Sequence, residues 1–229
     1  MPYNILMAAK LKIIADKPGG GFTFAFQLTD IFMLETSHFK KVLPALALIL
    51  LAAASRLLPH PPNFAPLGAM ALFGAAVFDK RWLAILVPLM ALYLSDLVLN
   101  NVVYAQYQPT FTWAVSAGTY LGFLAFVGIG FLFLRNRDWN VGRIVGAVLA
   151  GTAVFFVLTN FLAWYLDPFD MYADDAVGLS ASYTAALPFL LNSLLGNLFF
   201  SAVLFGGYAW LEQRQASKLV KEDIFDSEI

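Results

Sequence analysis

Over 229 residues the chain is 60% hydrophobic and only 13% charged, with a mean hydropathy of +0.73. That apolar excess is more than an aqueous core of this length can bury, which excludes an ordinary soluble domain and makes lipid the expected solvent. The absence of cysteine excludes a disulfide framework, a thiolate metal site and a Cys nucleophile, and the formal net charge of -1 is uninformative because the charges are segregated along the chain.

Residues 1–38 differ from the rest. Their middle, Lys17-Pro18-Gly19-Gly20-Gly21, is polar and Gly-rich, and the apolar stretch 22–32 is broken by Thr23, Gln27, Thr29 and Asp30. This stretch is too short and too polar to cross roughly 30 Å of hydrocarbon, and it lacks the apolar core of a secretory signal. It reads as a tail, disordered or a non-native extension ahead of a start at Met33; an interfacial element is the alternative.

Six apolar runs follow, giving a membrane domain over 39–214 and a cytoplasmic tail over 215–229. The first, 42–58, is entered from Lys40-Lys41 and carries Arg56 near its far end. The second, 64–78, covers only about 22 Å at 1.5 Å per residue. The third, 82–99, carries Asp96, whereas the fourth and fifth, 112–134 and 144–165, hold no charge. The sixth, 184–211, has Pro188 in its outer part, and its surplus length predicts tilt or a kink.

Basic residues orient the runs. Of the 11 Lys and Arg after residue 38, Lys40, Lys41, Lys80, Arg81, Arg135, Arg137, Arg143, Arg214, Lys218 and Lys221 precede the first run or follow the second, fourth and sixth; only Arg56 does not. Basic residues stay on the cytoplasmic side, so the expected fold is all-α: a polytopic protein of the bacterial inner (plasma) membrane with six transmembrane helices and both termini inside. The outer connections lack Lys and Arg, and the third, 166–183, carries Asp167, Asp170, Asp174 and Asp175. No repeat of 20 to 50 residues is present.

Polar side chains gather toward the outer ends. The first outer connection, Pro59-His60-Pro61-Pro62-Asn63-Phe64-Ala65-Pro66, has four prolines in eight residues, so it is stiff and non-helical. At membrane depth such backbone survives only against protein or water, so the loop is expected to fold over the outer mouth of the bundle; a rigid turn without a ligand is the alternative. Asp96 and Asn100 are spaced i,i+4, as are Asn160 and Trp164, while Asn192 and Gly196 repeat the face of Pro188.

A charge within a span faces a cavity or a partner, and the nearest counter-ion for Asp96 is Arg56. The candidate substrate-binding residues are therefore Arg56, His60, Asn63, Asp96, Asn100, Asn160, Trp164 and Asn192. Against this stand a structural Arg56–Asp96 pair, Asn192 and Asn197 as interhelical hydrogen-bond links, and the outer aromatics as an interfacial belt. His60 is one of two histidines and has no second metal ligand at a set spacing. Small residues at Ala71 and Ala75, at Gly118 and Gly122, and at Gly142, Gly146 and Ala150 mark close helix contacts, either internal or with a partner subunit. Motifs for hydrolytic, metalloprotease, P-loop or dinucleotide chemistry do not occur, so no enzyme activity, cofactor, resident metal or nucleic-acid partner is expected.

The stretches ASRLLPHPPNFAPLGAMALFGAAVF (54–78), LSDLVLNN (94–101) and AALPFLLNSLLGNLFF (185–200) resemble an uncharacterised bacterial family of predicted transport proteins, itself similar to the substrate-binding S component of energy-coupling factor transporters. The resemblance covers most of 39–211. It implies an S-component-like bundle that captures a vitamin-like molecule or a metal ion under its first outer loop, with import driven by a membrane coupling subunit and two cytoplasmic ATPases. Loop 59–66 then matches the capping loop, and Ala71 and Ala75 offer a docking face. The first run has no clean small-residue repeat, where S components carry their docking motif. A self-sufficient carrier or channel, and an assembly protein without a ligand, are the other two readings.

Overall fold

The computed structural model describes residues 28–107, 110–113, 116–135, 139–167 and 170–227, with backbone alone for helix residues 28–41, 216 and 218–227. Among these residues six α-helices follow in chain order: α1 (Leu28–Ser55), α2 (Leu67–Val77), α3 (Arg81–Val98), α4 (Ala117–Phe133), α5 (Val141–Leu166) and α6 (Ala176–Ser227). A π-helical turn, Leu99–Val103, continues α3 and leads to a 3₁₀ turn, Ala105–Tyr107. No strand occurs among the described residues, in line with the all-α expectation. The chain divides at Ser37 and His38 into two units, and the bundle lies in the second.

Among the described residues, three helical segments are long and apolar enough to cross a membrane: Arg81–Val103, Val141–Leu166 and Ala176–Gln215. Three more are apolar but shorter, Val42–Ser55, Leu67–Val77 and Ala117–Phe133. Large apolar side chains lie on the outside of the bundle, among them Leu51, Leu132, Val157, Leu191 and Phe199. A surface this apolar is out of place in water and suited to lipid.

Local chemistry moves several helix ends away from the hydropathy minima. The first helix stops at Ser55 rather than 58, because Leu58 precedes a proline and is driven out of the α region. Arg56, Leu57 and Leu58 instead bond the carbonyls three residues back. Pro66, which has no N–H to leave unpaired, precedes the first helical residue of α2, so that run begins at Leu67 rather than 64. The start of α4 falls at Ala117 rather than 112, where the Ser116 hydroxyl accepts from the Thr119 N–H. At α6 the Asp175 carboxylate accepts from the Val177 and Gly178 N–H groups at 2.9 and 2.8 Å, so this helix begins eight residues before the expected 184. The third outer connection shrinks to 167–175. Beyond 211, α6 continues through good helix formers such as Glu212, Gln213, Arg214 and Gln215 to Ser227, so most of the expected tail 215–229 has a helical backbone. The helix from Leu28 likewise takes in the end of the expected N-terminal tail, while residues 1–27 lie outside the described residues.

The centre of the bundle is the shortest helix. α2 packs against α3, α4, α5 and α6, and every residue from Gly68 to Ala75 is buried. A helix apolar all round has no face for water, which is why it takes this position. Ala71 and Ala75 are both fully buried, so this pair, weighed above as a partner-docking face, serves internal packing instead. A Cβ at Gly130 would stand 2.6 Å from the Cβ of Ala75, so the missing side chain sets how closely α4 approaches. On the α3 side a methyl at Gly74 would lie 2.5 Å from Pro88 and 3.0 Å from the Ala84 carbonyl. Pro88 cannot donate to that carbonyl, and the groove it leaves is where α2 fits.

Side chains from distant elements close both ends of α2. The Asn197 Oδ1 of α6 accepts from the Gly68 and Ala69 N–H groups at 3.0 and 3.3 Å, in place of a local cap. At the other end Arg135, just past α4, donates to the Phe78 and Asp79 carbonyls. Acceptor at the N-terminus and cation at the C-terminus match the helix dipole. Burial holds the Arg135 guanidinium below its ordinary pKa, and Arg81 pushes in the same direction, partly offset by Asp79.

Candidate functional site

The polar residues opposite the basic end fall into two separate groups. In the first, the turn after α1 aims Arg56 at α3. Its Nη2 donates to Asp96 Oδ1 at 2.6 Å, and its Nη1 to the Leu92 carbonyl at 3.3 Å and to the Ser95 hydroxyl. Asp96 Oδ2 accepts from the Tyr120 hydroxyl of α4 at 3.1 Å. The Arg56 and Asp96 side chains are 10% and 9% exposed, so the pair is shielded from solvent. Arg56 is held by three acceptors and both Asp96 oxygens are engaged. This constellation fastens α1, α3 and α4 together.

The second group is organised by loop 59–66. Asn63 adopts a left-handed backbone (φ 62°), which an asparagine tolerates better than most residues, and turns the chain back toward the bundle. The loop then lies on α6. Asn192 Nδ2 donates to the Pro62 carbonyl at 3.0 Å, and Phe64 packs on Phe199 and Phe200 with ring centroids 5.8 and 5.9 Å apart. A Cβ at Gly196 would stand 2.9 Å from the Ala65 backbone nitrogen, so this glycine is what allows the close approach.

Beneath Asn63, between α5 and α6, lies a cavity of about 80 Å³. Asn63, Thr152, Thr159, Asn160 and Ser193 supply its polar atoms, and Phe155, Phe156, Ala186, Phe189 and Leu190 its apolar walls. Asn160 Nδ2 and Thr159 Oγ1 each donate to a helix carbonyl, of Phe156 and Phe155 respectively, at 2.8 Å, which leaves the Asn160 amide oxygen and the Thr159 lone pairs as acceptors. Thr152 Oγ1 accepts from Asn197 Nδ2 at 3.4 Å and keeps its own proton to donate. Among the described residues no charged side chain lines the cavity. Among the described residues no group of three or more His, Asp or Glu is placed to share a metal ion.

The structure thus pairs Arg56 with Asp96, brings Asn63 and Asn160 to one cavity, and uses Asn192 to hold the loop above it. The other three candidates lie apart. His60 is exposed, its Nδ1 2.9 Å from the neighbouring Pro61 carbonyl. Trp164 donates to the Ala173 carbonyl at 2.9 Å and closes the connection between α5 and α6. Asn100 lies in the π-helical turn that continues α3 and is not among the residues that line the cavity. Its neighbour Asn101 clamps the Thr112 backbone through both its amide oxygen and nitrogen, at 2.7 and 3.0 Å.

Sequence reasoning passed over Ser95, Tyr120, Thr152, Thr159 and Ser193. A depth count would have found Tyr120: Arg56, Asp96 and Tyr120 each lie fifteen residues along the chain from a basic residue, Lys41, Arg81 and Arg135 respectively. That places all three about 22 Å from the basic end.

A model of the family of unknown function DUF6580 matches residues 36–219, and the chain belongs to that family. No curated protein and no solved structure matches the chain.

Proposed function

We propose that this is an integral membrane protein with six crossings and both termini on the side of its basic connections, and that it holds a small uncharged solute in the cavity beneath loop 59–66 for uptake. The ten-to-one bias of basic residues supports the orientation. The short helices fit a six-crossing arrangement because loop 59–66 makes up what α2 lacks. At 11 residues α2 extends about 16 Å, half the hydrocarbon thickness, and the loop covers the rest. Irregular backbone at that depth must be satisfied by protein, and Asn192 and Asn197 do so from α6.

The observation that carries the functional reading is the cavity itself: neutral donors and acceptors converge between phenylalanine walls under a tethered loop. Hydroxyls and amides without a counter-charge suit an uncharged polar solute better than an ion. At about 80 Å³ the space takes a molecule of a few heavy atoms, and a vitamin-sized one fits only with the loop lifted. Partnership with a membrane coupling subunit and cytoplasmic ATPases rests on the resemblance to S components alone, and the docking surface then lies elsewhere than Ala71 and Ala75.

Mass spectrometry of small molecules retained after purification in mild detergent tests the reading. The native protein should carry a solute that Asn160→Leu, which fills the cavity, does not, with both proteins melting within a few degrees of each other. Equal small-molecule content in the two proteins would defeat it. The closed Arg56–Asp96–Tyr120 network favours a second reading, a membrane scaffold without a ligand, and that outcome would select it.

A further inference from the structure

A second cleft, larger than the cavity under loop 59–66, lies at the opposite, basic end. It has a volume of about 160 Å³ and opens where the C-terminus of α2 meets α3 and α6. Its apolar lining is made by Val42, Ala76, Val77, Phe78 and Leu83 together with two aromatic side chains, Trp139 and Tyr208. Both are fixed by packing: Trp139 edge-on to Phe205 with centroids 5.1 Å apart, and Tyr208 against Phe73 at 5.6 Å. Among the described residues, the charged side chains that line the cleft are Asp79 and Glu212. Asp79 interacts with the nearby Arg135, whereas Glu212 lies in electrostatic contact with the Tyr208 hydroxyl.

We propose that this cleft binds the ammonium group of a small organic cation. An alkylammonium is attracted to the faces of Trp and Tyr and is neutralised by a carboxylate, while its methyl or methylene groups take the apolar lining. A bare metal ion gains nothing from that lining, and an anion meets Glu212. The cleft is smaller than the roughly 300–1,000 Å³ of drug-sized pockets, which sets the ligand at the size of one simple amine or one amine headgroup. Such a group is available free in the cytoplasm or on an amine-bearing phospholipid of the facing leaflet. The inference is independent of the solute cavity under loop 59–66.

The test is a calorimetric titration of the full chain, in phosphatidylglycerol nanodiscs, with choline chloride against a sodium chloride control. Saturable binding is expected, weakened at least about tenfold by Glu212→Gln and by Trp139→Leu, the loss of a partly desolvated cation–π or charge contact. Glu212→Asp should retain part of it and Asn160→Leu all of it, which separates this site from the outer cavity. Choline affinity lowered by adding phosphatidylethanolamine identifies the headgroup as the natural occupant, and unchanged affinity identifies the free amine; both support the site. Heats indistinguishable from the sodium chloride control, or binding that survives both Glu212→Gln and Trp139→Leu, would overturn it. Trp139→Leu carries the test if Glu212→Gln does not accumulate.

Discussion

Neutralising Asp96 separates a structural ion pair from a ligand-binding one. In Asp96→Asn the side chain keeps its size and its carbonyl can still accept from Tyr120, but the Arg56 guanidinium, 10% exposed, loses its counter-charge. Breaking a buried pair by removing one partner costs about 3–5 kcal/mol, and the two remaining acceptors of Arg56, the Leu92 carbonyl and Ser95 hydroxyl, place this case near 3 kcal/mol. For a domain of this size that is a fall of about 6–12 °C in apparent melting temperature. Arg56→Gln should cost a similar amount by stranding the carboxylate. The double variant leaves two neutral amides able to bond one another, and should recover at least half of the loss expected from adding the single effects. The measurement is thermal unfolding in one detergent for the native protein, both singles and the double, with retained small molecules quantified alongside. Singles that melt within 2 °C of the native protein but lose a retained solute would show that the pair serves a ligand, and would refute the structural assignment.

Asn197→Ala should lower stability by about 2–3 kcal/mol, because it uncaps two buried N–H groups at the start of α2. One turn further on the same face, Ser201→Ala should be neutral or stabilising, since the buried Ser201 hydroxyl has no partner; thermal melts of the two compare a used and an unused polar group. Gly130→Ala should destabilise by about 1–3 kcal/mol through overpacking against Ala75, whereas Gly206→Ala, whose new methyl meets no described neighbour within 4 Å beyond its own helix backbone, should not. Cysteines at Tyr107 and Met171, 73% and 68% exposed, should react with an impermeant maleimide in intact cells, and one at Val141, 77% exposed, only after permeabilisation; the reverse pattern would invert the topology.

Depth along each run was legible, because residue count from a basic anchor fixes height in a helix. Arg56 and Asp96 stand at equal counts from Lys41 and Arg81, and the structure joins them. Azimuth between helices was not legible, since it depends on how the bundle closes. The expected outer polar cluster therefore divides into the Arg56–Asp96–Tyr120 network and the Asn63–Asn160 cavity, and nothing in the periodicity of a single run says which polar residue faces which neighbour. Hydropathy also misplaced the ends of helices that caps decide: Ser116 delays α4 and Asp175 advances α6, both residues whose capping chemistry can be read once the end is known. The cap of α2 by Asn197 has no local signature at all. Its two partners are 128 and 129 residues away in sequence, and only the fold brings them together.

That long-range cap bears on how a solute would reach the cavity under Asn63. α2 is held at its N-terminus by Asn197 and at its C-terminus by Arg135, and is buried along its length, so it cannot tilt away without stranding backbone groups at both ends. The loop before it is held more lightly. One hydrogen bond from Asn192 to Pro62 and the contacts of the Phe64 ring keep it on α6, while the turn at 56–58 and Pro66 bracket a stretch that three prolines make stiff. If the cavity takes up a solute as proposed, a stiff segment with one polar tether would move as a flap rather than unravel, and access would belong to residues 59–65 while α2 and its Asn197 cap stay fixed.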